Sequence, residues 1–462
     1  LVIGERLREI YGYSPRIITA IPFINIIEQT KEDYLQVLRD CGTLNIHHRL
    51  SEKRLKDSAA TGEEQPLEKA LLEVESWEGD VILTTFVQFF QSLFTGRNAA
   101  LKKVNKLAGS IVILDEIQSI PEHYMALIGA AIIRMSEYYG TRFILMSATQ
   151  PHVLELGKKL LEKHKNPNES LTVSPPVELL PDYEKYYKKL QRTRIIPVLA
   201  SALNTDQFID FFLETWDNRS AVIIVNTINR CIEIYKKIKK VLPEGVKVFH
   251  LSTNLIPVER KRVIKEVKEA LIHHKVVLVS TQTIEAGVDL DFEVGYRDIA
   301  PLESLIQSAG RINRNNLHEN ALFPLYVVQL ERDFTWIYPL HQMEKTKTLL
   351  LKYKEIPEYE YLTVVNDYYA HLAQHLPTQS EEIWAKGIQK LDFEVISKFR
   401  MIEDDAGVVE VFVELDERAK QLADIYQMFR QKNYTELKYV FESLTGEKLT
   451  INEDGEITTY QR

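Results

Sequence analysis

Asp115 and Glu116 stand side by side at the end of an apolar run, in the stretch SIVILDEIQSIP from Ser110 to Pro121. Charged groups at a buried strand end cost free energy unless they are paired, hydrated or bound to metal. An Asp followed by a Glu at such a mouth suits a Mg²⁺–nucleotide site. The first acid holds the hydrated cation, and the second orients and deprotonates the attacking water. The plainer alternative is that the pair starts a surface helix and caps its N-terminus. A second run, LMSAT, ends in Ser147 and Thr149, which can bond to a neighbouring strand end, Gln118 included, or simply close a turn. In VSTQTIEAGVDLDF, Val279–Phe292, the pair Thr281 and Gln282 can hold a phosphate backbone, and Glu285, Gly287 and Asp289 follow at short offsets. Gly287 permits close backbone approach, and Asp289 can reach a ribose or an arginine. A strand–turn–strand with an acidic turn residue is the alternative. In ESLIQSAGRINRNN, Gln307, Arg311 and Arg314 are spaced by four and three, one face of a helix. Arginines presented together suit the charge on transferring phosphates; a basic face packed on acids is the competing account.

These residues need strands to carry them. RIITAIP, DVILTTF, SIVILDE and RFILMSAT are continuous apolar runs ending in small polar residues, with helical patterns between them. Strands buried on both faces and alternating with helices predict a parallel α/β sheet, whose ligands lie at the carboxyl ends of the strands. A second alternation follows in SAVIIVNT, VKVFHLST, KVVLVSTQT, VGYRDIA and FPLYVVQL. The predicted organisation is a first α/β domain over 1–170, a linker or excursion over 171–204, a second α/β domain over 205–335, and a smaller α+β region over 336–462 with strands at FEVISKFRMIEDD and VVEVFVEL.

The 462 residues exceed one ordinary core. Formal charge is −9, so a nucleic-acid partner would need local basic potential, for which LKKVNK, YKKIKK and ERKR are candidates; for each run alone, a solvated helix face is the simpler account. No apolar run is long enough to span a bilayer. Two distant cysteines, Cys41 and Cys231, fit a reducing compartment, and the cytoplasm is the expected location. LVIGERLREIYGYSP opens on Leu1 and reads as the tail of a helix stopped by Gly12 and Pro15, as if taken from the middle of a larger protein.

Taken in this order, DEIQ, SAT, STQTIEAGVDLD and QSAGRINR resemble motifs II, III, V and VI of superfamily 2 helicases. IPFINIIEQT, HHRL, WEGDVILTTFVQFFQSLF and ILDEIQSIP narrow the resemblance to the CRISPR-associated helicase–nuclease of type I systems, and FEVISKFRMIEDD resembles its C-terminal accessory part. The resemblance implies two tandem RecA-like domains and an ATP-dependent single-stranded-DNA translocase that unwinds target DNA in antiviral defence. It implies Mg²⁺ on Asp115, Glu116 as catalytic base, and Arg311 and Arg314 as arginine fingers beside Gln307. Gln118, Ser147 and Thr149 would couple hydrolysis to domain movement, and Glu285, Gly287 and Asp289 would complete the ATP cleft. Pro22, Asn25, Thr85, Gln88, Asn226, Thr227, Thr281 and Gln282 would line the single-strand track. An RNA-guided surveillance complex is the implied partner, and a monomer the implied state. An RNA helicase and a non-hydrolysing RecA-like binding module remain alternatives.

Two departures matter. The family carries a G-x-x-x-x-G-K-[ST] phosphate loop, absent from these residues and expected upstream of Leu1; weak or absent ATP hydrolysis is expected of the chain alone. No His-Asp dipeptide marks an HD nuclease. His47 and His48 read as surface or strand-contacting residues, and neither they nor the His273–His274 pair has ligand spacing.

Overall fold

A computed structural model of the protein describes residues 2–38, 44–47, 76–147, 149, 152–166, 173–285, 287–316, 321–331, 337–372, 377–402, 411–431, 433–445, 448–451 and 457–461. The chain divides into two compact units, Leu1–Met401 and Ile402–Arg462.

The larger unit holds two sheets. The first has the order β2-β3-β1-β4-β5, from Leu44–His47 (β2), Val81–Thr85 (β3), Ile17–Ile21 (β1), Ile111–Leu114 (β4) and Arg142–Leu145 (β5). Every pairing is parallel, with Ile17 opposite both Val81 and Ile111. β3 is buried along its whole length and β4 nearly so. That burial explains why both read as unbroken apolar runs rather than alternating ones. Parallel register brings all the carboxyl ends to one edge: Asp115 N–H donates to Ala20 O at 3.2 Å, and Ile117 N–H to Met146 O at 3.1 Å.

The second sheet has the order β12-β6-β11-β10-β7-β9-β8. Its strands are Thr193–Leu203 (β6), Ala221–Ile224 (β7), Lys247–Leu251 (β8), Val276–Ser280 (β9), Val294–Asp298 (β10), Phe323–Leu330 (β11) and Ile356–Pro357 (β12). Only β12 is antiparallel. The predicted boundary at 205 is therefore displaced: β6 belongs to this sheet and lies inside the expected linker. Pro197 masked it in the sequence, since proline is excluded from central strands. β6 tolerates it because, beyond the two residues paired with β12, only β11 lies beside it.

The 336 boundary is displaced as well. Helices Leu340–Leu350 and Tyr361–Leu372 contribute Met343, Leu349, Tyr361, Val364 and Tyr368 to the core under the second sheet. Ile383, Trp384, Ile396 and Phe399 join the core of the first. The FEVI stretch, predicted as a strand, is a helical turn over Phe393–Ile396, because Asp392 accepts the Glu394 and Val395 N–H groups and caps it. Residues 403–410 lie outside the described set, and 411–415 have no regular structure. The smaller unit carries helices Glu417–Arg430 and Tyr434–Thr445 and an antiparallel pair, Lys448–Ile451 (β13) and Ile457–Gln461 (β14).

The opening residues form the predicted helix, Val2–Tyr11, closed by Gly12 at φ +73°. Helices Glu122–Tyr139 and Val153–Lys163 follow the two motif-bearing strand ends of the first sheet and touch at glycine. A Cβ on Gly157 would lie 2.3 Å from the Gly129 carbonyl carbon, so this crossing accepts no side chain at either position.

Candidate nucleotide site

Glu116 takes the left-handed backbone conformation, φ +56° and ψ +45°. A non-glycine residue there costs roughly 1–2 kcal/mol, and strain of this kind gathers at functional sites. The turn brings the Glu116 N–H onto Asp115 Oδ1 at 2.9 Å. Gln118 Nε2 donates to Glu116 Oε2, and Ser147 Oγ donates to Gln118 Oε1 at 2.5 Å. Thr149 N–H donates to Ser147 Oγ at 3.0 Å. Gln118, Ser147 and Thr149 therefore form a polar chain that ends on Glu116.

Burial holds the Asp115 carboxyl above its ordinary range, the Glu116 N–H pulling the other way. Glu116 is also raised, chiefly by burial; Gln118 opposes this, the Asp115 charge adds to it, and the Arg311 guanidinium again opposes it. Arg311 thus acts on Glu116 from the second sheet's side of the unit. Burial, followed by the neighbouring Arg314 charge, pushes Arg311 down to about 10.

Arg311 follows helix Leu302–Ala309. Its Nη1 donates to Val288 O at 2.6 Å and its Nη2 to Glu285 O, while Nε is buried with no protein partner. The Glu285 and Val288 carbonyls thus hold the guanidinium, and Gly287 takes a positive φ of +71°. Arg314 Nε pairs with Asp289 Oδ1 at 3.1 Å, so Asp289 reaches an arginine, one of the two expectations for it. The expectation that Gln307, Arg311 and Arg314 share one helix face is corrected: only Gln307, partly exposed, is helical, because the helix ends at Ala309 and the chain turns through a left-handed Asn313 before Arg314.

The Glu285 carboxylate is already engaged within the protein. It is buried and pairs with Arg297 Nη2 at 2.9 Å, with Ser308 Oγ donating at 3.1 Å. Its carbonyl accepts from Arg311, and its charge also acts on that guanidinium. Arg297 is the residue the sequence did not mark: it is fully buried on β10, and its Nη1 bonds to Asn226 Oδ1 at 2.6 Å. An arginine at the end of an otherwise apolar strand, VGYRDIA, was the available signal. Arg297→Met is expected to leave Glu285 uncompensated and to cost about 3–5 kcal/mol of stability. Denaturant unfolding at neutral pH checks this, and adding Glu285→Gln should recover part of the loss.

The expected strand-track residues lie at or beside carboxyl ends of strands, but several are already engaged. Asn226 Nδ2 donates to Asp298 Oδ2 at 2.9 Å and to Ile299 O at 2.8 Å; with Oδ1 on Arg297, its side chain is committed inward. Thr227 and Thr85 cap helices, accepting the Arg230 and Gln88 N–H groups. Thr281 Oγ1 lies 2.8 Å from Thr283 Oγ1, and Gln282 Nε2 donates to Asn226 O at 3.3 Å. Gln88 Oε1 accepts from Lys103 Nζ at 3.4 Å, and Pro22 follows β1. Asn25 lies in helix Ile24–Leu38, its side chain outside the described residues.

His47 corrects the expectation of a surface or strand-contacting residue. It is buried, with Trp77 Nε1 donating to its Nδ1 at 3.1 Å. His48 lies outside the described residues. Among the described residues no cluster of three His, Cys, Asp or Glu side chains forms a protein-only metal site, and no helix is long and apolar enough to cross a membrane.

Residues 217–317 match the family model of the C-terminal part of the CRISPR-associated nuclease/helicase Cas3. The CRISPR-associated nuclease/helicase Cas3 of Haloferax volcanii is 29% identical over 394 residues, covering 66% of this chain and 41% of that protein. The chain thus spans less than half the length of this relative. The crystal structure of T. fusca Cas3 matches with a TM-score of 0.65 at 19% identity, over 87% of this chain and 54% of that one. A chain of a CRISPR RNA-guided surveillance complex in a pre-nicking state matches with a TM-score of 0.51 at 17% identity, covering 87% of this chain and 54% of that one. In motif set, sequence and fold the chain is thus similar to the helicase portion of Cas3-type superfamily 2 proteins.

Proposed function

We propose that this chain is the motor part of an ATP-dependent single-stranded-DNA translocase that unwinds target DNA in CRISPR-based antiviral defence. The observation that carries the reading is the acid pair Asp115–Glu116 on one sheet within the electrostatic reach of Arg311 on the other. The donor set fits Mg²⁺–ATP. Asp115 offers a hard carboxylate with one oxygen engaged by a backbone N–H, and Arg311 keeps an unpartnered Nε. When bound, Mg²⁺–ATP supplies a hydrated divalent cation and a γ-phosphoryl group for transfer to water.

Asp115 would hold the cation. Glu116, a stronger base for being buried, accepts the proton of the attacking water at its carboxylate, and Gln118 keeps that carboxylate oriented. Arg311 and Arg314 offset developing negative charge from the second sheet, so the full electrostatic set exists only while the sheets are together. The chain Gln118–Ser147–Thr149 conveys the state of Glu116 to the next strand end. Thr85, Gln88, Thr281, Gln282, Thr227, Pro22 and Asn25 would track the strand through its phosphates, with Asn226 supporting the track from below. The protein works as a cytoplasmic monomer, recruited by an RNA-guided surveillance complex such as the one among its structural relatives. No G-x-x-x-x-G-K-[ST] loop occurs in the 462 residues, so by themselves they should hydrolyse ATP weakly or not at all.

The test is ATP turnover by the full-length protein with single-stranded DNA or RNA of the same sequence. Stimulation by DNA is expected. Stimulation by RNA alone would make it an RNA helicase, and no turnover with either would leave a non-hydrolysing binding module.

A further inference from the structure

A second connection between the two sheets lies outside the motifs. Glu122 is the first residue of helix Glu122–Tyr139, seven positions beyond Asp115 and tied to it by the single turn Ile117–Ser119. Its Oε2 accepts from Gln342 Nε2 at 2.7 Å and lies 2.6 Å from His341 Nε2. Both partners sit in the first turn of Leu340–Leu350, where the helix N-terminus also favours a carboxylate. That helix is anchored under the second sheet by Met343, Leu349 and Leu350.

The other motif segment makes a parallel contact. His152, three residues after Thr149, has its ring 6.3 Å from that of Tyr369 on helix Tyr361–Leu372, which packs in the same core. Each nucleotide-facing segment of the first sheet therefore runs, within a few residues, onto the helical pair fixed to the second. Glu303, on the helix leading to Arg311, lies close enough to Glu122 to feel its charge.

We propose that Glu122 is a positioning residue. Its contact with His341 and Gln342 holds the sheets in the arrangement that brings Arg311 toward Glu116, so closure is set by this latch as well as by ligand. The inference rests on the nucleotide-site reading for its kinetic consequence but not for its geometry. Glu122→Ala in the full-length protein should raise KM for ATP about tenfold, the factor corresponding to one charge-assisted hydrogen bond. It should leave kcat at saturating ATP and DNA within about threefold, because ligand binding restores closure. Fluorophores on the two sheet bodies should report a more open nucleotide-free protein. His341→Ala with Gln342→Ala should reproduce both effects and add nothing to Glu122→Ala. Glu122→Gln, which keeps an acceptor for Gln342, should restore most of the KM.

An unchanged inter-sheet distance in Glu122→Ala would overturn the latch, whatever the turnover. So would a fall in kcat at unchanged KM, or full additivity with the His341/Gln342 variant. If the wild type hydrolyses no ATP, the distance measurement still decides the latch, and only the nucleotide reading fails.

Discussion

Arg311→Ala in the full-length protein is expected to lower DNA-stimulated ATP turnover by ~10³–10⁵-fold, the range over which an arginine finger acts on phosphoryl transfer. Two backbone carbonyls, of Glu285 and Val288, fix its terminal nitrogens, and burial has already lowered its pKa to about 10. A guanidinium anchored this way needs little reorganisation as charge develops opposite it, which is the condition under which such a group is worth most. Arg311→Lys should fail almost as badly, because a single ammonium cannot span both carbonyls. The pH profile supplies an independent reading. Arg311 holds the Glu116 pKa down against burial. Its removal raises the pKa of the base, so Glu116 stays protonated to higher pH and the acid limb of residual kcat/KM moves upward. A Glu116 acid limb that stayed put would mean that the two groups do not face each other in the working enzyme.

Much of this arrangement is legible in the sequence because parallel sheets announce themselves. SIVILDE, KVVLVST and SAVIIVNT are buried on both faces, so they read as apolar runs, and the polar residue that ends each run marks the sheet edge where ligands bind. Asp115 and Glu116 are legible in that way, whereas Arg311 and Arg314 stand out only by their spacing from Gln307. What escaped depends on tertiary pairing. Nothing local distinguishes Glu285, spent on Arg297, from a carboxylate aimed at nucleotide. Asn226 looks exposed at a strand end until Arg297 and Asp298 claim its amide. Glu303 sits in the same helical pattern as Gln307, yet burial, with Glu122 and Glu285 nearby, pushes it up to about 7. The strand β6 was hidden by Pro197, and the turn at Phe393 by a pattern that alternates equally well until Asp392 caps it. The residues at 340–401 looked like one accessory piece because helical periodicity says nothing about which core a helix joins. They divide between the two sheets.

Glu116→Gln isolates the proton transfer. The substitution keeps the size of the side chain and an oxygen for Gln118, and removes the basic carboxylate. Loss of a positioned general base costs typically ~10²–10⁴ in rate, and DNA-stimulated turnover should fall by that factor. ATP binding should survive, since Asp115 and the Arg311 cradle do not depend on the Glu116 charge for their backbone contacts. Filter binding with a non-hydrolysable ATP analogue, beside steady-state turnover, separates the two effects. Retained binding with lost turnover is the signature of a base. Loss of both in equal measure would place Glu116 among the groups that hold the nucleotide. The left-handed turn at φ +56° would then serve binding rather than the aiming of a water.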